Sequence, residues 1–375
     1  MRQTARIIST YSADTFGVCS ALFELGGMVV MHDASGCNST YTTHDEPRWY
    51  DMDSMIYISG LSEMEAIMGD DEKLIGDIVA AAEELHPNFI AVAGTPIPTM
   101  TGFDFQAVAE LIEERTQIPA FGFASTGMNT YVHGASMALA GIARRFVNRD
   151  LKKTTHLSAN ILGVTPLDFS VNGSDKAMEE FMKNAGFEVI SKWAMGSTLD
   201  ELKRAGCASV NLVVSDTGLG VAKVLKEQFG TPYVVGTPIG KAYQSVLCEA
   251  LWNAAKTGTY EQKTSDLKES KIAVIGEGVT SCSLAQAIEL EYGKGVKVLC
   301  ATEYTGDYLR EKDCCTPDEE DIMEALDGIE VVIADPLYRP LLPETIRFLS
   351  LPSESFSGRI YRNEIPNLIR RFGQE

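Results

Sequence analysis

Asn88-Phe-Ile-Ala-Val-Ala93 is a short, largely apolar run that leads through a Gly and Pro turn into the amphipathic stretch Phe105 to Thr116. A buried strand that delivers the chain into a helix packing back on it is the repeating unit of a parallel α/β layer. The unit recurs as Ser209-Val-Asn-Leu-Val-Val214 before Gly220 to Phe229, and as Lys271-Ile-Ala-Val-Ile275 before Ser283 to Tyr292. Ile329-Glu-Val-Val-Ile-Ala334 reads as a further strand whose following helix is broken by Pro336, Pro340 and Pro343. Such apolar strands are covered on both faces, so the expected fold class is α/β, with parallel sheets flanked by helices.

The chain has 375 residues, enough for about two or three domains. Two polar joints, 148–158 and 258–270, divide it into three: 1–150, 151–262 and a shorter 263–375 with a Pro-punctuated tail and a basic helix candidate over 365–372. A composition of 45% hydrophobic and 22% charged residues describes an ordinary globular protein. The net charge of −20 repels phosphate backbones and anionic lipid, which argues against nucleic acid or a membrane surface as partner. No apolar run is long enough to span a bilayer, and the first residues lack the pattern of a secretory signal, so a cytoplasmic location is expected.

Several motifs have plain structural readings. Gly276-Glu-Gly278 follows a strand as a dinucleotide turn would, but Ser281 stands where the third glycine belongs, which favours a tight strand-to-helix turn. Gly236-Thr-Pro-Ile-Gly240-Lys241-Ala242 is one residue short of a phosphate loop and has Ala242 where a magnesium-binding hydroxyl is needed. ATP hydrolysis by this chain is not expected. Cys314 and Cys315 fall in an acidic stretch that reads as a surface loop, with Thr316 and Glu319 spaced as a capping box. Cys207, Cys248, Cys282 and Cys300 sit within apolar patterns and read as small buried hydrophobes.

Cys19 and Cys37 each stand where a helix pattern begins, near Gly17 and Gly36. A thiolate at a helix N-terminus is stabilised by the free amides, and the glycines would let a bulky inorganic ion approach. Read from spacing alone, the pair serves a metal site and a purely structural role equally well.

Taken together, the first 145 residues resemble component 1 of the nitrogenase superfamily, which includes the dark-operative protochlorophyllide reductase and the nickel-sirohydrochlorin reductive cyclase. His32-Asp-Ala-Ser-Gly36-Cys37 is similar to the family's His-Gly-Pro-x-Gly-Cys turn, and Cys19 falls at its earlier cluster cysteine. Leu61-Ser-Glu63-Met-Glu65-Ala-Ile-Met-Gly69-Asp-Asp-Glu-Lys73-Leu74 resembles the segment Met-Thr-Glu-x-Asp-x-Val-Phe-Gly-Gly-x-x-Lys-Leu. Ala91-Val-Ala-Gly-Thr95-Pro96 with Gly102-Phe-Asp104, and then 121–134, resemble the family's next blocks, the last of which ends in Gly before a long helix. Fainter likeness continues at Asn172-Gly-Ser-Asp-Lys, Gly196-Ser-Thr-Leu-Asp-Glu-Leu and Gly230-Thr-Pro-Tyr. The resemblance implies three Rossmann-like domains, an interfacial iron-sulfur cluster, and electrons delivered by a separate ATP-hydrolysing iron protein.

Departures from the family sharpen these expectations. Its third cluster cysteine is Thr95 here, which leaves Cys19 and Cys37 as the matched ligands. A four-iron cluster normally takes four thiolates, so the expected arrangement is a homodimer bridging one 4Fe-4S cluster; a related second subunit with its own cysteines is the alternative. Ser215-Asp216-Thr217 stands where cofactor-binding relatives have a cysteine, and there is no histidine after His156. Dinitrogen reduction is therefore not expected, and the interdomain cavity would admit an organic substrate, a tetrapyrrole or a small sulfur or carbon compound.

The implied function is a nitrogenase-like oxidoreductase component. His32, Asp33 and Asn38 flank the second cysteine as candidates for hydrogen-bonding cluster sulfur or moving protons, with helix capping the plain role for Asn38. Asp216 falls at a strand's C-terminal end, where open α/β sheets bind ligands, or simply begins a turn before Gly218. Two competing readings are a non-catalytic scaffold or carrier for a metal cluster or metallocofactor, and a cluster-free ligand-binding protein.

Overall fold

The computed structural model describes residues 13–34, 45–259, 264–265, 267–304, 306–316 and 318–373. Its strands are β1 (Met28–Met31), β2 (Met55–Ile58), β3 (Ile90–Ala93), β4 (Ala120–Phe123), β5 (Ser158–Leu162), β6 (Glu188–Lys192) and β7 (Val210–Val213). There follow β8 (Tyr233–Val235), β9 (Ser270–Gly276), β10 (Gly295–Cys300), β11 (Cys314–Cys315), β12 (Val331–Ala334) and β13 (Arg347–Ser350). They form three sheets, ordered β2-β1-β3-β4, β6-β5-β7-β8 and β11-β10-β9-β12-β13. Every strand pair is parallel, as the apolar runs require, with β1, β3, β5 and β7 buried along their whole length. The fold is α/β, three parallel sheets flanked by helices.

The strand-helix units expected from the sequence are present, with shifted boundaries that have local causes. The helix after β9 begins at Gly278 rather than Ser283, because the Glu277 carboxylate caps it by accepting from the Val279 and Thr280 amides. The helix after β4 begins at Tyr131, so Gly134 lies inside it rather than ahead of it. After β12 the prolines leave only 3₁₀ turns over Pro336–Leu341. The basic tail helix shrinks to Leu368–Arg371. Cys314 and Cys315 form an edge strand, not a loop, and Asp318 caps the next helix by accepting from the Asp321 amide, so the Thr316–Glu319 capping box does not form.

The cores cross between sheets. One apolar cluster joins Val18, Leu22 and Leu139 of the first sheet's layer to Leu162, Trp193, Val213 and Leu225 of the second. Another joins Ile161, Leu212 and Leu247 to Val274, Leu284 and Val298 of the third. At the first junction the helix Asp14–Leu22 lies against the helix Tyr131–Phe146 at a distance only glycine permits. A Cβ on Gly17 would fall 2.0 Å from the Tyr131 carbonyl oxygen, and one on Gly134 would fall 1.8 Å from that of Asp14. Gly17 therefore serves helix packing, not the approach of an ion; Gly36 lies outside the described residues.

Candidate active site

Open parallel sheets bind ligands beyond the carboxyl ends of their strands, where the strand order reverses. Here those points lie between β1 and β3, between β5 and β7, and between β9 and β12. The second and third face one cleft. Its walls are apolar, including Ile239, Ile275, Leu351, Phe356 and Ile369, and its charged lining residues are Asp168, Glu277 and Asp335, with no basic side chain among them.

Two of these acids belong to a buried cluster of three carboxyls. Thr165 caps the short helix Pro166–Phe169, and its hydroxyl donates to Asp168 Oδ2 at 2.6 Å. The Tyr131 hydroxyl donates to Asp168 Oδ1 at 2.5 Å. Beyond β7, Asp216 opens a 3₁₀ turn capped by Ser215, so the turn expected before Gly218 is present and sits at the strand end. Glu277 Oε1 accepts from the Asp216 amide at 2.9 Å and from the Val279 amide at 3.0 Å, and Oε2 accepts from the Thr280 amide at 2.8 Å. The Tyr308 hydroxyl donates to Asp216 Oδ2 at 2.5 Å. Gly278 makes room for it, since a Cβ there would fall 2.4 Å from that hydroxyl. The glycine after Glu277 thus admits a tyrosine, not a pyrophosphate.

Desolvation penalises charge here, and the carboxyls raise one another further. Burial pushes Asp168 up to about 6, and burial followed by the Asp168 charge pushes Glu277 up to about 8. Burial also raises both tyrosines. The cluster therefore retains a proton at neutral pH, shared between carboxyls rather than owned by one. Asp335 is spoken for differently: its two oxygens accept from the Leu337 and Ser353 amides.

The remaining switch point lies at the first sheet. Thr95, at the end of β3, donates its hydroxyl hydrogen to the His32 carbonyl at 2.8 Å, and Thr15 donates to the Gly94 carbonyl at 2.6 Å. Cys19, one turn beyond Thr15 on the same helix, has no exposed surface. The helix starts at Asp14, whose buried carboxylate accepts from the Thr126 and Gly127 amides, so Cys19 is well inside it rather than at its N-terminus. Burial, and then the Glu46 charge, push the Cys19 thiol far above its ordinary range. Cys37 and Asn38 lie outside the described residues. His32 packs on Phe103 with ring centroids 4.4 Å apart and shares a hydrogen bond of 2.9 Å with Ser59, and burial lowers it to about 4. Asp33 is buried beside it.

The sequence profile of the Nitrogenase component 1 type Oxidoreductase family matches residues 14–333. The chain belongs to this family. A light-independent protochlorophyllide reductase subunit from Nostoc punctiforme is 31% identical over 185 residues, covering 46% of this chain and 36% of that one. The corresponding subunit from Trichormus variabilis is 25% identical over 307 residues, 70% of this chain and 59% of that one. The nitrogenase iron-molybdenum cofactor biosynthesis protein NifE of Clostridium pasteurianum is 26% identical over 184 residues, 48% and 38% respectively. The chain thus spans between 36% and 59% of the length of these curated relatives. Among solved structures, one titled nitrogenase Cp1 at pH 6.5 matches with a TM-score of 0.69 at 16% identity, over 98% of this chain and 92% of that one, a likeness of fold. Within this nitrogenase component 1 type chain no described helix is long and apolar enough to cross a membrane.

Of the residues singled out in the sequence, Asp216 joins the cleft cluster, and Cys19, His32 and Asp33 belong to the first sheet's layer. Asp168, Tyr131, Glu277 and Tyr308 were not anticipated. A signal for Glu277 did exist: a lone acid between two glycines directly after an apolar strand.

Proposed function

We propose that this protein is the substrate-reducing component of a nitrogenase-like reductase, supplied with electrons by a separate ATP-hydrolysing iron protein, and that its substrate is an organic molecule other than dinitrogen. The reading is carried by the cleft at the second and third switch points, which couples apolar walls to a proton-retaining carboxyl cluster. Reduction of an organic bond consumes a proton with each electron retained. In this reading Asp168, held by Tyr131 and Thr165, presents its carboxyl to the bound molecule, and Asp216 and Glu277 replenish the proton. The apolar walls exclude bulk water. With acids and no base in the lining, the cleft disfavours polyanions such as a multiply carboxylated tetrapyrrole and suits a small neutral or cationic compound.

Electron entry belongs to the first sheet. Cys19 and Cys37, with the same pair from a second copy or with cysteines of a related subunit, would hold a 4Fe-4S cluster. The donor set supports this: Cys19 offers sulfur in a dry setting that suits a cluster, whereas Thr95 has its hydroxyl committed to the His32 carbonyl. A thiol that burial keeps protonated ionises when a bound metal supplies the compensating charge. When bound, the cluster supplies one-electron transfer.

The NifE relative favours a second reading, a scaffold or carrier for a metallocofactor. Against it, the cleft lining contains no Cys or His, and among the described residues no three His, Cys, Asp or Glu side chains, the carboxyl cluster included, are placed to hold a metal ion. Oxygen-free purification followed by iron counting and electron paramagnetic resonance tests the main proposal. About four irons per pair of chains are expected, lost in Cys37→Ala. A colourless, iron-free wild type would remove the cluster, and a cluster-bearing protein that accepts no electrons from an iron protein would favour the carrier.

A further inference from the structure

Cys300 closes β10 and Cys315 closes β11, and the two are direct partners in the parallel register. Paired strands run about 4.8 Å apart, inside the Cα separation that a disulfide accepts. Their side chains lie on one face of the sheet and converge: the Cys300 thiol points at the Thr302 carbonyl at 3.5 Å and the Cys315 thiol at the same carbonyl at 3.6 Å. Both thiols therefore crowd one carbonyl oxygen, which brings the two sulfurs close together. Cys300 has no exposed surface and Cys315 is exposed. Cys314, one residue earlier, points to the opposite face and packs against the third sheet's core.

We propose that Cys300 and Cys315 are a redox-active dithiol, with Cys315 the nucleophile towards hydroperoxides and Cys300 the resolving thiol. The Cys315 thiolate attacks one peroxide oxygen and the O–O bond breaks, giving a sulfenic acid and releasing hydroxide or alkoxide, which takes up a proton. The Cys300 thiol then attacks the Cys315 sulfur and expels water, forming the disulfide. In sum two thiols lose two electrons and two protons, and one hydroperoxide is reduced to water plus water or an alcohol. An external dithiol reverses the reaction by exchange.

The environment supports these roles. The neighbouring Cys300 thiol holds the Cys315 thiol down at about 7, against burial and the nearby charges of Glu303 and Asp321. Cys300 is held high by the adjoining Cys315 and then by burial. An acidic, exposed thiol backed by a protonated, buried one is the arrangement that separates attack from resolution. Disulfide formation also removes the Cys300 S–H donor from the Thr302 carbonyl. The next residue, Glu303, accepts from the Thr130 amide at 2.6 Å and from the Thr130 hydroxyl, at the start of the helix Tyr131–Phe146. Oxidation therefore acts on a loop that ties the third sheet to the first unit.

The test uses the full chain, reduced and oxygen-free, treated with stoichiometric hydrogen peroxide and then alkylated for peptide mass spectrometry. The expected product is an intramolecular Cys300–Cys315 disulfide, reversed by dithiothreitol, retained in Cys314→Ser and absent in Cys315→Ser. In Cys300→Ser, dimedone should trap a sulfenic acid on Cys315. Independently, the alkylation rate of Cys315 should rise with pH around about 7, and around about 8.5 in Cys300→Ala. Passage of Cys315 to sulfinic acid with Cys300 still reduced, or equal reactivity of Cys314 and Cys315, would overturn the proposal.

Discussion

Tyr308 reaches from the loop after β10 across Gly278 to place its hydroxyl 2.5 Å from Asp216 Oδ2, joining the third sheet's layer to the strand end of the second. The contact exists because residue 278 has no side chain. Gly278→Ala should therefore act by dislodging Tyr308, and Tyr308→Phe by removing the same hydrogen bond. Each is expected to cost about 1 to 3 kcal/mol in denaturant unfolding. The double variant should cost clearly less than their sum, since both remove one interaction.

Gly17→Ala and Gly134→Ala meet rigid backbone rather than a side chain that can swing aside. Each should cost about 3 kcal/mol or more and lower the thermal midpoint, whereas Gly76→Ala, which meets nothing within 4 Å, should be neutral or slightly stabilising.

His32 is held neutral by burial, with its folded value near 4 and an ordinary unfolded value near 6.5. The unfolded chain thus binds a proton first as pH falls, so the contribution present above about 6.5 is lost between there and about 4. The loss should amount to about 2 kcal/mol, allowing for partial exposure. Urea melts across this window should show a shallower acid limb in His32→Gln than in wild type.

Asp168 has the opposite sign. Its folded value of about 6 lies above the unfolded carboxylate range, so folding favours its protonated form. That contribution is complete below about 4 and disappears as pH climbs through about 6. Asp168→Asn should flatten this decline and gain about 2 kcal/mol of relative stability at pH 8. In the reconstituted two-component system it should cut turnover at least about tenfold. A variant that keeps full turnover would remove Asp168 from the proton supply.

The layer architecture was readable because strands covered on both faces leave mainly apolar runs, as β3, β9 and β12 do and as β7 does around a single Asn211. The carboxyl cluster was not, because Tyr131, Asp168, Asp216, Glu277 and Tyr308 meet only after three separate sheets have formed, and no local pattern records that meeting. Cys19 shows a subtler failure. The local pattern starts its helix close by, but the amide cradle of Asp14 sets the start earlier, and that cradle is built from residues 126 and 127. For Cys300 and Cys315 the sequence displayed two cysteines and hid the register that pairs them.

The helix Tyr131–Phe146 belongs by chain order to the first sheet, yet it also packs against Leu219–Phe229 of the second, with Ser136 accepting from the Gly220 amide at 3.1 Å. Neither layer can be finished without it. Exchange of material with relatives, in nature or in the laboratory, is thus constrained to move the first two layers as one block. A chimaera spliced between them would have to rebuild a seam in which a single misplaced methyl collides with main chain.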